Sequence, residues 1–472
     1  MNNHFKKLTL SSVLLNLILG LNLEATSLRD SIEQAINTNP DIVSEHYNKK
    51  ENRLNAEKEK SDYYPTLDFE TFVEDSRTER DYEDATPDTT GDKDGWNATL
   101  KFEQVLYDGG KTPKEIEQFR HKYYNIKYTS KEAVENIILE ITDTYLDLLL
   151  NQSLEAFGNY KLKAHNYYLK LAEEKEDISG EILDRLQVQS KINSLIDSNL
   201  DQEVKNQKSF STYEKLTGKS IKGNICQPII DETLIPDTLE DAIDNAIKND
   251  NRIRAQYELV QEQKAAISIQ YAKFLPDLKL QLQAEWDNDL SLPENGQEDI
   301  YRARLQSSWN FYEGGKDLVN LEKEKVAMLK ERKILDAIKE EVRDEIKGTY
   351  NTYFQLKKRI KNLKEFVDVN NQIVGVYREQ LKEGSRTFLD LLNAESEVFR
   401  TKTLLVEEET NLSKEYFIIL KALNKLSDSI LSQKNVVCQE FDINTILPNF
   451  EEQYLTKEIN LEETAKELGL EE

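Results

Sequence analysis

The chain repeats itself, and that repetition limits its architecture more than any other feature of its 472 residues. The stretch Ser27-Leu28-Arg29-Asp30-Ser31-Ile32-Glu33-Gln34-Ala35-Ile36 returns as Thr238-Leu239-Glu240-Asp241-Ala242-Ile243-Asp244-Asn245-Ala246-Ile247, 211 positions later. At the same offset Tyr64-Pro65-Thr66-Leu67 becomes Leu275-Pro276-Asp277-Leu278. Leu106-Tyr107-Asp108-Gly109-Gly110-Lys111 recurs as Phe311-Tyr312-Glu313-Gly314-Gly315-Lys316, now 205 positions on, so the second copy has the shorter loop. The 205 offset holds through Ile141, Thr144 and Tyr145, which map onto Ile346, Thr349 and Tyr350. Internal repeats of this size mean that one order of elements is used twice. The boundaries fall at 26–236 and 237–430, with an acidic segment, 431–472, at the end.

Within each copy the reading is the same. A helix of roughly 35 residues (28–63, then 239–274) is expected to stop at a Tyr-Pro or Leu-Pro step, because proline cannot donate and biases its predecessor towards extended backbone. Two strand-like segments follow, then a Gly-Gly-Lys turn that launches a very long helix (about 112–176 and 316–382), a short break and a final helix. On the second long helix Leu335, Ile338, Val342, Ile346, Thr349, Tyr353, Leu356, Ile360, Leu363 and Val367 form a seam with a mean step of about 3.56 residues, between a heptad coiled coil and a straight helix. A helix of this length reaches roughly 100 Å at 1.5 Å per residue, far more than a globular domain needs.

The expected strands, about 66–75, 95–106, 277–287 and 299–311, alternate strictly. Leu278, Leu280, Leu282, Ala284 and Trp286 oppose a wholly polar face. Leu67, Phe69, Thr71 and Val73 oppose Asp68, Glu70 and Glu74, and Trp96, Ala98, Leu100 and Phe102 oppose Asn97, Thr99, Lys101 and Glu103. Segments of about ten residues with one apolar face and terminal aromatics fit an outer-membrane barrel, and equally a half-buried soluble hairpin. Trp96, Trp286 and Trp309 are the candidate aromatic girdle. Four strands cannot close a membrane barrel, whose minimum is about eight, so a membrane reading requires several copies. The polar loops 75–95 and 287–299 are then expected to face the cell exterior.

Composition narrows the field. Lys and Arg number 62 against 88 acidic residues, a net charge of −26 that repels nucleic-acid phosphates. Charged residues make up 32% of the chain, which excludes a many-helix inner-membrane transporter. Lys6 and Lys7 precede an apolar stretch, Leu8 to Leu23, that ends near Ala25, the pattern of a secretory signal peptide covering 1–25.

Taken in order, the duplicated opening, the Tyr-Pro and Leu-Pro steps, the Tyr-Asp/Glu-Gly-Gly-Lys turns and Lys382-Glu383-Gly384-Ser385-Arg386-Thr387-Phe388-Leu389-Asp390 resemble the TolC-like outer-membrane channel family over about 26–430. The resemblance implies a mainly α fold with a β-barrel part. Tandem-duplicated long-helix hairpins would form a trimeric α-barrel, and four strands per protomer would form a shared 12-stranded outer-membrane β-barrel. It implies a homotrimer in outer-membrane lipid that exports cargo with a periplasmic adaptor and an inner-membrane pump such as an ABC or RND transporter. It also implies a closed periplasmic tip, whose matching positions are Asp184, Arg386 and Asp390. The family's further acidic constriction falls on Asn393, and a tyrosine expected three residues before Gly384 is Leu381. In the first half Asp177 stands where a glycine is expected, ahead of Gly180. Arg386 is expected to meet Asp184 or another carboxylate of the first hairpin.

No enzyme is read here, and no cofactor or metal. His46, His121 and His165 are isolated, and Thr217-Gly218-Lys219-Ser220 lacks the earlier glycine of a phosphate loop. Cys226 and Cys438 follow the last helix of each half; they are either paired in an oxidising compartment or two separate thiols. A periplasmic coiled-coil adaptor or a structural rod is the alternative, though neither needs the strand pair twice.

Overall fold

The computed structural model describes residues 26–80, 89–221, 225–290 and 296–432. The expected signal segment 1–25, Cys438 and almost all of the acidic C-terminal segment lie outside the described residues. The elements run α1 (Leu28–Thr38), α2 (Pro40–Lys58), β1 (Thr66–Arg80), β2 (Thr89–Tyr107), α3 (Lys111–Ser179) and α4 (Leu183–Thr217). The same order then repeats as α5 (Leu239–Asn249), α6 (Asn251–Ala272), β3 (Asp277–Asn288), β4 (Gln297–Ser308), α7 (Lys316–Lys382) and α8 (Phe388–Ala422), with a short α9 (Leu426–Leu431) added.

The first helix of each half is not continuous, contrary to the expectation of one rod over 28–63 and 239–274. Asn39 takes extended backbone, its Oδ1 accepts from the amides of Asp41 and Ile42, and Pro40 occupies the first helical position. At the 211-residue offset Asp250 does the same for Arg252 and Ile253. Each is an N-cap that starts a second helix in a new direction. The Gly-Gly turns behave as expected. Gly109 and Gly110, then Gly314 and Gly315, all have φ between 62° and 82°, a left-handed run that residues with a Cβ avoid.

The strands form one antiparallel sheet in the order β1-β2-β3-β4, so β1 and β4 are its edges. The expected boundaries need correction. β1 and β2 stay paired to Arg80↔Thr89, beyond Trp96↔Asn288 where β2 leaves β3, and project as a two-stranded ribbon through most of what was expected to be a loop. β4 ends at Ser308 rather than 311.

The helices form one layer. Next to the sheet, α3 packs on α2 and α6, and α6 on α7; at the far end α3 packs on α4 and α8, and α8 on α7. The layer therefore has two flanks, α2 then α4 on one side and α7 on the other. At mid-height α1, α5 and α9 pack on it around a core containing Ile32, Ile138, Tyr145, Ile346, Tyr416 and Leu420. The duplication is exact down to a hydrogen bond. Tyr145 Oη reaches the carbonyl of Thr26 at 2.9 Å, and Tyr350 Oη reaches that of Asp237, the equivalent residue, at 3.0 Å.

Candidate functional site

The sheet is inside out. Its register places Leu67 opposite Phe102, Phe69 opposite Leu100, Phe102 opposite Leu282 and Leu280 opposite Leu305, so one face is apolar across all four strands. Leu67, Phe69, Val73, Tyr301 and Leu305 on that face are 64–80% exposed, while Asn97, Thr99 and Asp287 on the polar face are buried. The polar face is cross-linked. Lys279 pairs with Glu103 at 3.0 Å, Gln281 Nε2 donates to Glu103 at 3.0 Å, Arg302 pairs with Glu285 at 3.0 Å, and Asn97 donates to Glu285 and Asp287. A sheet in water buries its apolar face; this one is stable only where the outside is apolar.

Aromatics bracket the apolar band. Trp96 and Trp286 mark the distal end, with Tyr301 edge-on to Trp286 at 6.5 Å. At the helix end Trp309 stacks on Phe311 at 4.5 Å, and its Nε1 donates to the carbonyl of Phe274. Tyr63, Tyr64 and Tyr312 stand exposed beside them. Between the two belts, Leu278 to Trp286 spans eight steps of β3, roughly 27 Å of strand. This is the height of an outer-membrane apolar band.

The opposite end of the helix layer carries the expected gate residues. Both hairpins turn there, at Gly180 and Gly384, each left-handed. Asp184 is buried on the first turn of α4, and its Oδ2 is held by Lys175 Nζ at 2.7 Å. Burial opposes the Lys175 charge, but its hydrogen bonds to Asp184 and Glu181 outweigh burial and raise its pKa. Arg386 is exposed; its Nε donates to Gln380 at 3.1 Å and its guanidinium lies 4.5 Å from the Tyr377 ring centre. The expected Arg386–Asp184 pair is therefore not formed within the chain, because each group already has a partner on its own hairpin. Asp390 closes a capping box with Thr387, and these hydrogen bonds, from the amide and then the hydroxyl, lower its pKa. Asn393 is exposed on the next turn. Leu381, which replaces the expected tyrosine, is buried in the cluster that joins the two hairpins.

That cluster holds the link the sequence reading missed. Glu395 on α8 is 2% exposed; its Oε1 accepts from Tyr168 Oη of α3 at 2.6 Å and from Arg378 of α7 at 2.6 Å. A carboxylate thus ties both hairpins together inside an apolar contact. The signal was available. Phe388, Leu391, Leu392, Val398 and Phe399 follow helical core spacing, and Glu395 interrupts it. Nearby, burial and then Lys161 hold the His165 imidazole down to about 4. Cys226 is buried beneath Tyr145, whereas Cys438 lies outside the described residues.

A lipid-facing sheet continuous with long helices that turn back at Gly180 and Gly384 defines an outer-membrane channel protomer. The comparisons agree: the family model "Outer membrane efflux protein" matches residues 31–195 and 242–424, so the chain belongs to that family. It is 18% identical over 329 residues to the outer membrane efflux protein BepC of Brucella suis biovar 1 (strain 1330), covering 70% of this chain and 72% of BepC. Among solved structures it resembles the Campylobacter jejuni CmeC outer membrane channel, with a TM-score of 0.75 at 12% identity, over 84% of this chain and 86% of CmeC. The Vibrio cholerae outer membrane protein VceC gives a TM-score of 0.72 at 18% identity, over 84% and 95%. The protein is thus an outer-membrane channel with a helical extension into the periplasm, and not an enzyme.

Proposed function

We propose that three copies of this chain join side by side into one exit duct. The duct works with a periplasmic adaptor and an ABC- or RND-type inner-membrane pump, in a tripartite efflux pump or a type I secretion system. The observation that carries this reading is that every level of the protomer has two open flanks. In the sheet these are β1 and β4. At the tip end they are α4 and α7, and each bears an exposed apolar stripe: Leu186, Ile196, Leu200 and Val204 on α4, and Phe366, Val369, Ile373 and Val376 on α7. The stripes lie at similar distances from the tip, so a heterologous contact between copies covers both and closes a ring. Three copies of four strands meet the minimum for a membrane barrel, as two would not do with room for a lumen.

In the ring, the Arg386 and Asp390 side chains of each copy stand at the mouth, and Arg386 is free to turn from Tyr377 to a carboxylate of the neighbouring copy. Asp390 supplies the ring of negative charge that favours cations, with Asn393 contributing none. Unheated outer-membrane fractions should show an SDS-resistant species that heating converts to single chains. Single chains without heating would overturn the ring. Purified duct immobilised on resin should retain a periplasmic adaptor from detergent-solubilised envelopes; retention of none would overturn the partner assignment.

A further inference from the structure

In a chain with 26 more negative than positive charges, one cavity is lined by cations that form no ion pair among the described residues. It lies over α3 between α2 and α6, beside the end of α1, with a volume of about 750 Å³. Lys49, Lys127, Lys131 and Arg254 surround it. Among the described residues the three lysines make no ion pair. Lys127 instead sits 5.7 Å from the Tyr124 ring centre. Among the described residues the Arg254 side chain hydrogen-bonds to Lys248 O and Asn249 Oδ1, with its guanidinium 5.9 Å from the Tyr128 ring centre. Glu45, the one acid among the lining residues, accepts from Ser130 Oγ and Asn48 Nδ2 through its Oε2.

Two further features narrow the ligand. Asn251 lines the cavity and is 2% exposed; its Nδ2 donates to Asn424, while its Oδ1 accepts from no donor among the described residues. A buried amide oxygen of this kind calls for an N–H group. Ile36, Ile42, Val43 and Val134 give the wall an apolar part, beside Asn37, His46, Tyr47, Tyr128 and Ser130. Cations, an unfilled acceptor and an apolar floor together suit an acidic peptide with aliphatic side chains. They suit a phosphate or a sugar acid less, since neither offers the N–H and the aliphatic group together.

We propose that this cleft is the dock for the chain's own C-terminal segment, 433–472. The segment carries ten carboxylates against three lysines, interspersed with Leu455, Ile459, Leu461, Leu468 and Leu470. It also starts close by. Ser427, on the first turn of α9, donates from Oγ and N to Glu135, one helical turn along α3 from Lys131. Forty residues at up to about 3.3 Å each far exceed the distance required, whether the cleft belongs to the same copy or to the next. Bound there, the segment neutralises the four cations and bridges α2 to α6 across α3, beside the end of α1. The proposal does not rest on the duct reading.

The test uses the assembled full-length protein in detergent. Trypsin can cut the segment after Lys457 and Lys466. Lys127→Glu/Lys131→Glu should speed those cuts at least fivefold, and Glu462→Gln/Glu463→Gln in the otherwise wild-type chain, which adds no cleavage site, should speed them too. A photo-crosslinking residue at Tyr47, on the cleft rim, should join to a peptide from 433–472. Equal cutting rates in wild type and the lysine variant overturn the proposal. So does a Tyr47 crosslink to another protein, which would make the cleft a site for an acidic partner instead.

Discussion

Gln281 and Leu282 are adjacent on β3 and face different solvents. Gln281 donates to Glu103 on the polar face, and Leu282 is 41% exposed on the apolar one. Leu282→Arg should cut the yield of membrane-assembled protein severely, since an arginine facing lipid costs about 2–4 kcal/mol near the midplane in every copy. Gln281→Arg should assemble normally beside Glu103. Equal yields would show the faces to be misassigned. These faces were legible because a strand's side-chain period is two, and a hydropathy pattern records it directly. The mouth was less legible. Position alone marked Arg386, Asp184 and Asp390, but which groups meet depends on side-chain reach across helices, which spacing does not encode. Arg386→Ala should raise single-channel conductance only where neighbouring copies are held by it. Glu395→Gln should raise it by loosening the two hairpins of one copy, with assembly yield unchanged. Wild-type conductance in both variants would remove both links from the closing mechanism. His165 provides a pH test. Its buried form is neutral, with the pKa lowered from 6.5 to about 4, so the unfolded chain binds the extra proton between these values. Stability at this end is therefore full above pH 6.5, falls as pH drops towards 4 and levels off below it. The loss is on the order of 3 kcal/mol per copy at most. His165→Gln should lack this acid-side loss; an identical pH slope in wild type and variant, read from denaturant midpoints, would contradict it.

At the scale of elements, the long helices were the most readable part. Of the ten seam positions on α7, seven are buried and Ile338, Thr349 and Leu356 are half-buried, as expected of a repeat between 3.5 and 3.6. Asn39-Pro40 is a cap-and-proline signature that a continuous periodic reading passes over, and Asp250 has no proline to announce it. The ribbon of β1 and β2 was illegible for a different reason. Beyond Val73 both of its faces are charged or small, so alternation ends while backbone pairing continues. The flank stripes belong to the same class of feature. Phe366, Val369, Ile373 and Val376 recur at helical spacing beside the seam, but only the packing order shows that no helix of the same chain covers them. Val369→Asp/Ile373→Asp should abolish the SDS-resistant species while leaving the helical content of the chain unchanged by circular dichroism, because no contact within the protomer is lost. Retained SDS resistance would place the contact between copies elsewhere.

The whole molecule is a duplicated half-unit that still lacks closure. Each copy of the repeat contributes two strands and a pair of hairpin helices, and two copies give a wall with free edges rather than a barrel. Duplication was plain in the sequence, and so was the need for partners of its own kind, since four strands cannot enclose a pore. The identity of the flanks was not, because it depends on which helix ends up outermost. One number decides whether the protein forms a duct, the count of chains in the outer-membrane form. Native mass spectrometry of the detergent-solubilised protein should give three chains per particle at all concentrations at which it stays intact. A particle of one chain would leave β1 and β4 unpaired in the membrane, and one of two chains would close only eight strands with no room for a lumen; either would contradict the duct.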